Sequence, residues 1–279
     1  MIIDFHTHIF PKIIKENREK FFINEPAFKM LYDSPKSKIA CVEDILAMMD
    51  EEGIDRSVVF GFPWQNNDTF KMNNDYIIEA IIKYSDRLTG FSCFDIFHPD
   101  SAKEAERCLN SGLSGVGELA DYNDSNKNFI DYLKPVMSIC KSKQTPVMIH
   151  TNEPVGHIYP GKTQNLLSQI YNISKTFPEN LIVFAHYGGG IFFYNLLKKE
   201  VKDVFKNTFF DTAASPYLYD ERIWKFAYEI AGPEKILFGT DYPLIRPSVY
   251  FKQINESELS DIQKNNIFSN NAKKILNIV

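Results

Sequence analysis

Only four cysteines occur among 279 residues, Cys41, Cys93, Cys108 and Cys140, and no two of them form a C-x-x-C pair. A disulfide framework or zinc ribbon is not expected, and four reduced thiols fit a cytoplasmic protein. There is no excess of positive charge: 31 Lys and Arg face 36 Asp and Glu, for a net charge of -5. Composition therefore argues against a nucleic-acid partner. No apolar stretch approaches the roughly 20 residues of a membrane span. The start, Met1-Ile2-Ile3-Asp4-Phe5-His6, lacks the basic region and apolar run of a secretory signal. Internal repeats, low-complexity segments and Pro/Gly/Ser-rich linkers are absent too, so a single domain over 1–279 is expected. What is present is an ordinary globular balance, 44% AVILMFWYC and 24% charged, which excludes a disordered chain. The 23 Phe and 14 Tyr suit a large core and, in part, a ring-lined pocket.

Two kinds of segment alternate along the chain. Short β-rich apolar runs occur at 2–5, 57–62, 88–94, 115–119, 146–150, 181–185, 208–211 and 236–239. Most are continuously apolar, as expected of parallel strands covered on both faces. Between them lie segments with helical periodicity: 42–52 with Gly53 as its stop, 75–84, 101–110, 129–142, 164–176, 191–205 and 221–230. Two more, 258–268 and 271–278, close the chain. Eight strand–helix alternations predict an α/β fold, a single (β/α)8 TIM barrel. The alternative, a doubly wound open sheet, usually wants a Gly-rich loop after its first strand, where this chain has His6-Thr7-His8. The connection 9–40 is an extended loop after strand 1, where about two to six residues would do. It is expected to be either a lid or pocket wall, or an extra helix on the barrel end.

Barrel chemistry sits at the carboxyl ends of the strands. The first run ends Asp4-Phe5-His6-Thr7-His8, and residues two apart in an extended segment point the same way, so His6 and His8 should face one centre. The fourth run ends in Glu118, the fifth in His150, the sixth in His186 and the eighth in Asp241. Four of the six histidines thus fall at strand ends. Four imidazoles and two carboxylates on one face form a ligand set for zinc, manganese, iron or nickel. The competing reading is a hydrogen-bonded polar plug at the barrel mouth.

These residues resemble the amidohydrolase superfamily. The likeness rests on Asp4-Phe5-His6-Thr7-His8, His150, Ala185-His186 with Gly188-Gly189-Gly190, and the run from Gly232 to Pro243 that contains Gly239-Thr240-Asp241-Tyr242-Pro243. The closing Asn271-Ala272-Lys273-Lys274-Ile275-Leu276 is similar to the family's last helix. The likeness is strongest to the amidohydrolase-related branch, which includes lactone and C–C bond hydrolases and aminocarboxymuconate semialdehyde-type decarboxylases.

The resemblance implies that His6, His8, His150 and Asp241 hold a divalent metal that lowers the pKa of bound water from about 15.7 toward 7. It implies that Asp241 also moves the proton, and that His186 either ligates a second metal or acts on the water or substrate. Glu118 departs from the decarboxylase-type pattern and resembles the bridging Glu of two-metal members, while a plain salt bridge within the barrel mouth stays open. Asp4 reads equally as support for the ligands or as strand-end structure. His157, Tyr159 and Lys162 in the loop after the fifth strand, Trp64 after the second and Arg246 after the eighth are substrate-binding candidates. The expected cofactor is one or two divalent ions, zinc first, with manganese, iron or nickel as alternatives. The expected partner is a small molecule, with neither nucleic acid nor membrane, and a homodimer is compatible. Glu118 and His186 as ligands of a second ion put hydrolysis of an ester, lactone or amide first. Non-oxidative decarboxylation on the same scaffold, or a metal- or ligand-binding barrel without turnover, are the alternatives.

Overall fold

A computed structural model describes residues 1–122, 127–163 and 166–278. Its strands are β1 (Ile3–His8), β2 (Arg56–Phe60), β3 (Leu88–Ser92), β4 (Gly115–Leu119), β5 (Val147–Ile149), β6 (Ile182–Phe184), β7 (Thr208–Asp211) and β8 (Ile236–Leu237). All neighbours pair in parallel, in the order β1 to β8. The ring closes where Phe5 N donates to Phe238 O, Asp241 N to His6 O and His8 N to Tyr242 O. This is the expected (β/α)8 barrel.

The barrel interior is filled by Ile3, Phe5, Val58, Phe60, Phe91, Met148, Val183 and Leu237. With Ile3 and Phe5 inside, strict alternation would turn His6 and His8 outward. A bulge prevents this: Asp4 pairs with Ser57 but Thr7 with Val59, so three steps on β1 match two on β2. β4 has the same shift between Val116 and Leu119 against β5, just where Glu118 lies. Both bulges sit at strand ends that carry ionisable residues, and each re-aims a side chain toward the mouth.

The helices are α1 (Lys12–Glu16), α2 (Pro26–Tyr32), α3 (Val42–Glu52), α4 (Asn67–Lys83), α5 (Ser101–Asn110), α6 (Phe129–Lys143), α7 (Leu167–Thr176), α8 (Lys199–Val204), α9 (Ser215–Leu218), α10 (Ile223–Ala231), α11 (Pro247–Glu256), α12 (Asp261–Asn265) and α13 (Asn271–Leu276). α3 begins where the Asp44 carboxylate accepts from Cys41 N and ends at Gly53 with φ 73°. α4 starts eight residues before the periodic segment at 75, because Asn66 caps it by accepting from Asp68 N and Thr69 N. Its first turns bury Asn73 and Asn74, which bond Trp64 and Glu104, so they carry no apolar signal.

Other boundaries differ from expectation for local reasons. Segment 191–205 is not one helix: tight 3₁₀ turns occupy His186–Leu196, with Tyr187 to Gly190 all left-handed, and α8 follows. Segment 258–268 divides into α12 and a π-turn at Asn266–Asn270 that runs into α13. α11 was not expected, although Pro247 at its first turn is a start signal. The start of the helix expected at Gln164 lies outside the described residues.

The 9–40 connection satisfies both of its readings. It folds α1, a 3₁₀ turn and α2, and buries Phe10 and Phe28 against Phe62 and Trp64. Its Met30, Leu31, Tyr32 and Lys38 also line the mouth of the barrel. All four cysteines are buried and free. No helix among the described residues is long and apolar enough to cross a membrane.

Candidate active site

β1 delivers two imidazoles with their distal nitrogens toward one point. His6 Nδ1 donates to Asp211 Oδ2 at 2.9 Å, and His8 Nδ1 donates to Gly61 O at 2.9 Å. Each ring is thereby held in the tautomer that leaves Nε2 as the ligand atom. Asp241 Oδ1 lies 3.3 Å from His8 Nε2 and 3.6 Å from His6 Nε2. Asp241 reaches this point through a left-handed turn, φ 61°, just past β8.

Glu118 comes from β4. The preceding Gly117 has φ 139°, and a Cβ there would meet Met148 O at 2.5 Å, so only glycine allows this close approach of β4 to β5. Glu118 Oε1 lies 3.0 Å from His150 Nδ1 and 3.4 Å from His186 Nε2, while Oε2 lies 3.8 Å from His6 Nε2. His150 Nε2 donates to Gly161 O at 3.1 Å. His186 Nδ1 donates to Ala213 O at 2.9 Å.

Among the described residues, two groups could hold an ion: His6, His8 and Asp241, and His6, Glu118 and His186. They share His6, whose Nε2 is buried without a hydrogen-bond partner among the described residues. An orphaned buried nitrogen at the meeting point of two carboxylates and two further imidazoles fits a divalent cation. His150 stands beside this centre, against Glu118, and is in neither group.

The electrostatics agree. Burial opposes a charge on His6, but Asp211, Glu118 and Asp241 outweigh it and push its pKa up to about 10. Burial likewise opposes a charge on His186, and Glu118 with Asp241 raises its pKa to about 9. Burial would raise Asp241, yet His8 and His6 hold it down at about 2, and Glu118 is held well below the usual carboxylate range by His150 and His6. The metal-free centre therefore keeps protons on imidazoles that a cation must displace. Below a pKa of about 10 a proton competes for His6, so manganese affinity is expected to rise with pH, about tenfold per pH unit for each proton displaced. Calorimetric titrations near pH 6, 7 and 8 in buffers of different ionisation enthalpy measure both slope and proton release. A flat profile contradicts the assignment. A double variant, His6→Ala with His8→Ala, is expected to retain no stoichiometric metal by elemental analysis, and full occupancy would remove both from the ligand set.

Asp4 proves to be strand-end structure. Fully buried, it accepts from Thr240 Oγ1 at 2.6 Å, Thr240 N at 3.0 Å and His6 N at 3.2 Å, joining β1 to the segment after β8. Burial raises its pKa to about 7 against those bonds.

A cavity of about 870 Å³ opens above the centre, with His8, Glu118, His150, His186 and Asp241 at its polar end. His157 and Tyr159 line it as expected. Three substrate-binding candidates need correction. Trp64 is fully buried among Phe10, Phe28 and Phe62 and donates to Asn73 Oδ1, because the 9–40 insert covers it. Arg246 turns outward to Glu51 and Glu52 on α3. Lys162 is spent on Glu153 within its own loop. Residues missed from the sequence are Asp211, which orients His6, and the cavity walls Tyr32, Phe62 and Tyr122. Asp211 ends β7, so the strand-end rule could have found it; no local signal marks the three rings.

The chain is similar to known proteins over most of its length. It is 24% identical over 331 residues to the 2-amino-3-carboxymuconate-6-semialdehyde decarboxylase of Dictyostelium discoideum, covering 99% of this chain and 91% of that protein. It is 21% identical over 297 residues to the gamma-resorcylate decarboxylase of Polaromonas sp., covering 87% and 90%. A variant of 5-carboxyvanillate decarboxylase from Novosphingobium aromaticivorans, solved with manganese and 3-methoxy-4-hydroxy-5-nitrobenzoic acid, shares the fold with a TM-score of 0.80 at 16% identity, over 99% of this chain and 97% of that one. The family model for Amidohydrolase matches residues 3–278. With the barrel, the strand-end histidines and Asp241 in place, the chain belongs to the amidohydrolase family.

Proposed function

We propose that the protein is a metal-dependent, non-oxidative decarboxylase of a small conjugated carboxylic acid. The observation that carries this reading is the sharing of His6 between the two ligand groups. The sequence puts hydrolysis first because Glu118 and His186 read as ligands of a second ion. An imidazole whose Nδ1 is committed to Asp211 has one nitrogen left and serves one ion, which supports a one-metal centre. That removes the reason for preferring a two-metal clamp on an attacking water. The decarboxylase activities named for the similar proteins support the same choice. Manganese in one of their structures supports a divalent ion, while zinc has no separate support.

In this reading His6, His8 and Asp241 hold the ion, with Glu118 and His186 beside it. When bound, the ion supplies Lewis-acid polarisation of substrate oxygens and neutralises their charge. Phe62 and Tyr122, whose rings are 5.7 Å apart and within 5° of parallel, offer a flat apolar surface to a conjugated acid. His186 Nε2 is positioned to donate to a carboxylate oxygen. The bond between the substrate carbon and its carboxylate breaks, its electron pair stays on that carbon, and CO₂ leaves. Asp241 faces the imidazoles through Oδ1, and Oδ2 passes a solvent-derived proton to the carbon.

The test is incubation of manganese-loaded protein with 2,6-dihydroxybenzoate, 5-carboxyvanillate and related conjugated acids in D₂O. Stoichiometric CO₂ with deuterium on the vacated carbon is the expected result. Hydrolysis of lactones, esters or amides with ¹⁸O uptake from water, and no CO₂ from any acid, would overturn it in favour of a hydrolase. Metal binding without either reaction would favour a non-catalytic barrel.

A further inference from the structure

The loop between β5 and α7, residues 151–163, forms part of the cavity wall, including Val155, His157, Tyr159 and Gly161. It contains neither strand nor helix, and connections of this length in a compact barrel are uncommon unless functional. The aliphatic side chains of its outer part face solvent: Val155 is 71% exposed and Ile158 91%. Polar ties hold it instead. At the root, Asn152 Oδ1 accepts from Thr163 N at 2.7 Å and Thr163 Oγ1 at 2.6 Å. Farther out, Lys162 Nζ donates to Glu153 Oε1 at 2.7 Å and to the carbonyls of Val155 and His157, and Tyr159 Oη donates to Glu153 Oε2 at 2.8 Å. The Lys162 and Glu153 side chains are only 12% and 13% exposed, so this pair is the interior of the loop. The next residue back, Gly161, accepts from His150 Nε2, which joins the loop to the polar centre.

We propose that Lys162 is a latch, holding this loop shut over the barrel mouth and controlling passage between solvent and the metal centre. One ammonium gathers three separate points of the loop. Without it Glu153 is a shielded carboxylate with no cation, which gains by turning to water. Tyr159 and the carbonyls of Val155 and His157 then lose their anchor, while Gly156 and Gly161, at φ 87° and 93°, give the backbone pivots on either side. The root clamp of Asn152 and Thr163 is untouched, so the opening is confined to the loop. The inference rests on the proposed reading that the centre holds a divalent ion, and not on which reaction follows.

The experiment compares wild type with Lys162→Met, and with Glu153→Gln, which breaks the same pair from the other side. Hydrogen exchange is measured first, on metal-free protein. The backbone amide of residue 162, which donates to Tyr159 O, is expected to exchange at least tenfold faster in both variants, with β1 to β8 unchanged. Release of bound manganese to excess chelator is measured second, and is expected to accelerate at least tenfold with metal stoichiometry unaltered. Unchanged exchange overturns the latch, and faster exchange with unchanged release overturns its control of passage. A wild type that takes up no manganese sinks the proposed function and the gating of the metal together, while the exchange measurement still decides whether Lys162 holds the loop.

Discussion

Asp241→Asn is expected to leave the barrel folded and to lower kcat by about 10³-fold, within the range of a positioned acid or base. Asparagine is nearly isosteric, and its backbone tolerates the left-handed φ of 61° better than most residues, so the turn after β8 and the bond from residue 241 N to His6 O should survive. The amide can offer a carbonyl oxygen where Oδ1 now faces His6 and His8. It cannot take up and deliver a proton. One negative charge also leaves the centre, so metal affinity falls as well. Measuring kcat at saturating manganese separates the two losses, and circular dichroism confirms the fold. Activity within about tenfold of wild type under those conditions would take Asp241 out of proton transfer.

The second large effect is expected at Asp211, fully buried at the end of β7. Its Oδ2 accepts from His6 Nδ1 at 2.9 Å, and its Oδ1 from His186 N at 2.9 Å and Ala213 N at 3.0 Å. One carboxylate thus sets the ring of one histidine and the backbone of another. Asp211→Asn keeps the shape and lets the amide oxygen accept from the backbone. If its NH₂ then faces His6 Nδ1, the neutral ring carries its proton on Nε2, the atom needed for the metal. Manganese affinity should fall about 10- to 100-fold, the usual loss when a ligand's supporting partner is removed. Thermal stability of the metal-free variant should fall as well near neutral pH, because Asp211 is the largest of the groups that stabilise a charge on buried His6. Asp211→Ala should lose the affinity and also destabilise by about 1–3 kcal/mol, because buried N–H groups lose their acceptor. Calorimetric manganese titration and urea unfolding of both variants make the comparison. Wild-type affinity in both would show that Asp211 only supports the backbone.

Local pattern carried the architecture and most of the centre. Continuous apolar runs of strand length fit a sheet covered on both faces, with the amphipathic segments between them as the cover, so the α/β class was legible from period, while the count of eight and His6-Thr7-His8 in place of a Gly-rich loop pointed to the barrel. The barrel then supplies a positional rule, and His6, His8, Glu118, His150, His186 and Asp241 all obey it. Asp211 obeys it too, but its task is set by a partner 205 residues away in the chain. Which substrate-binding candidates face the cavity was likewise decided by contacts between distant segments: Arg246 met Glu51 and Glu52 of α3, and the 9–40 insert covered Trp64. The bulges in β1 and β4, which bring a polar end and an apolar interior onto the same strand face, leave no mark in an alternation pattern. Periodicity reports which face of an element is buried. It does not report what that face meets, and the sharing of His6 Nε2 between two ligand groups, on which one ion or two depends, exists only once the four strand ends of β1, β4, β6 and β8 have been brought around a single point.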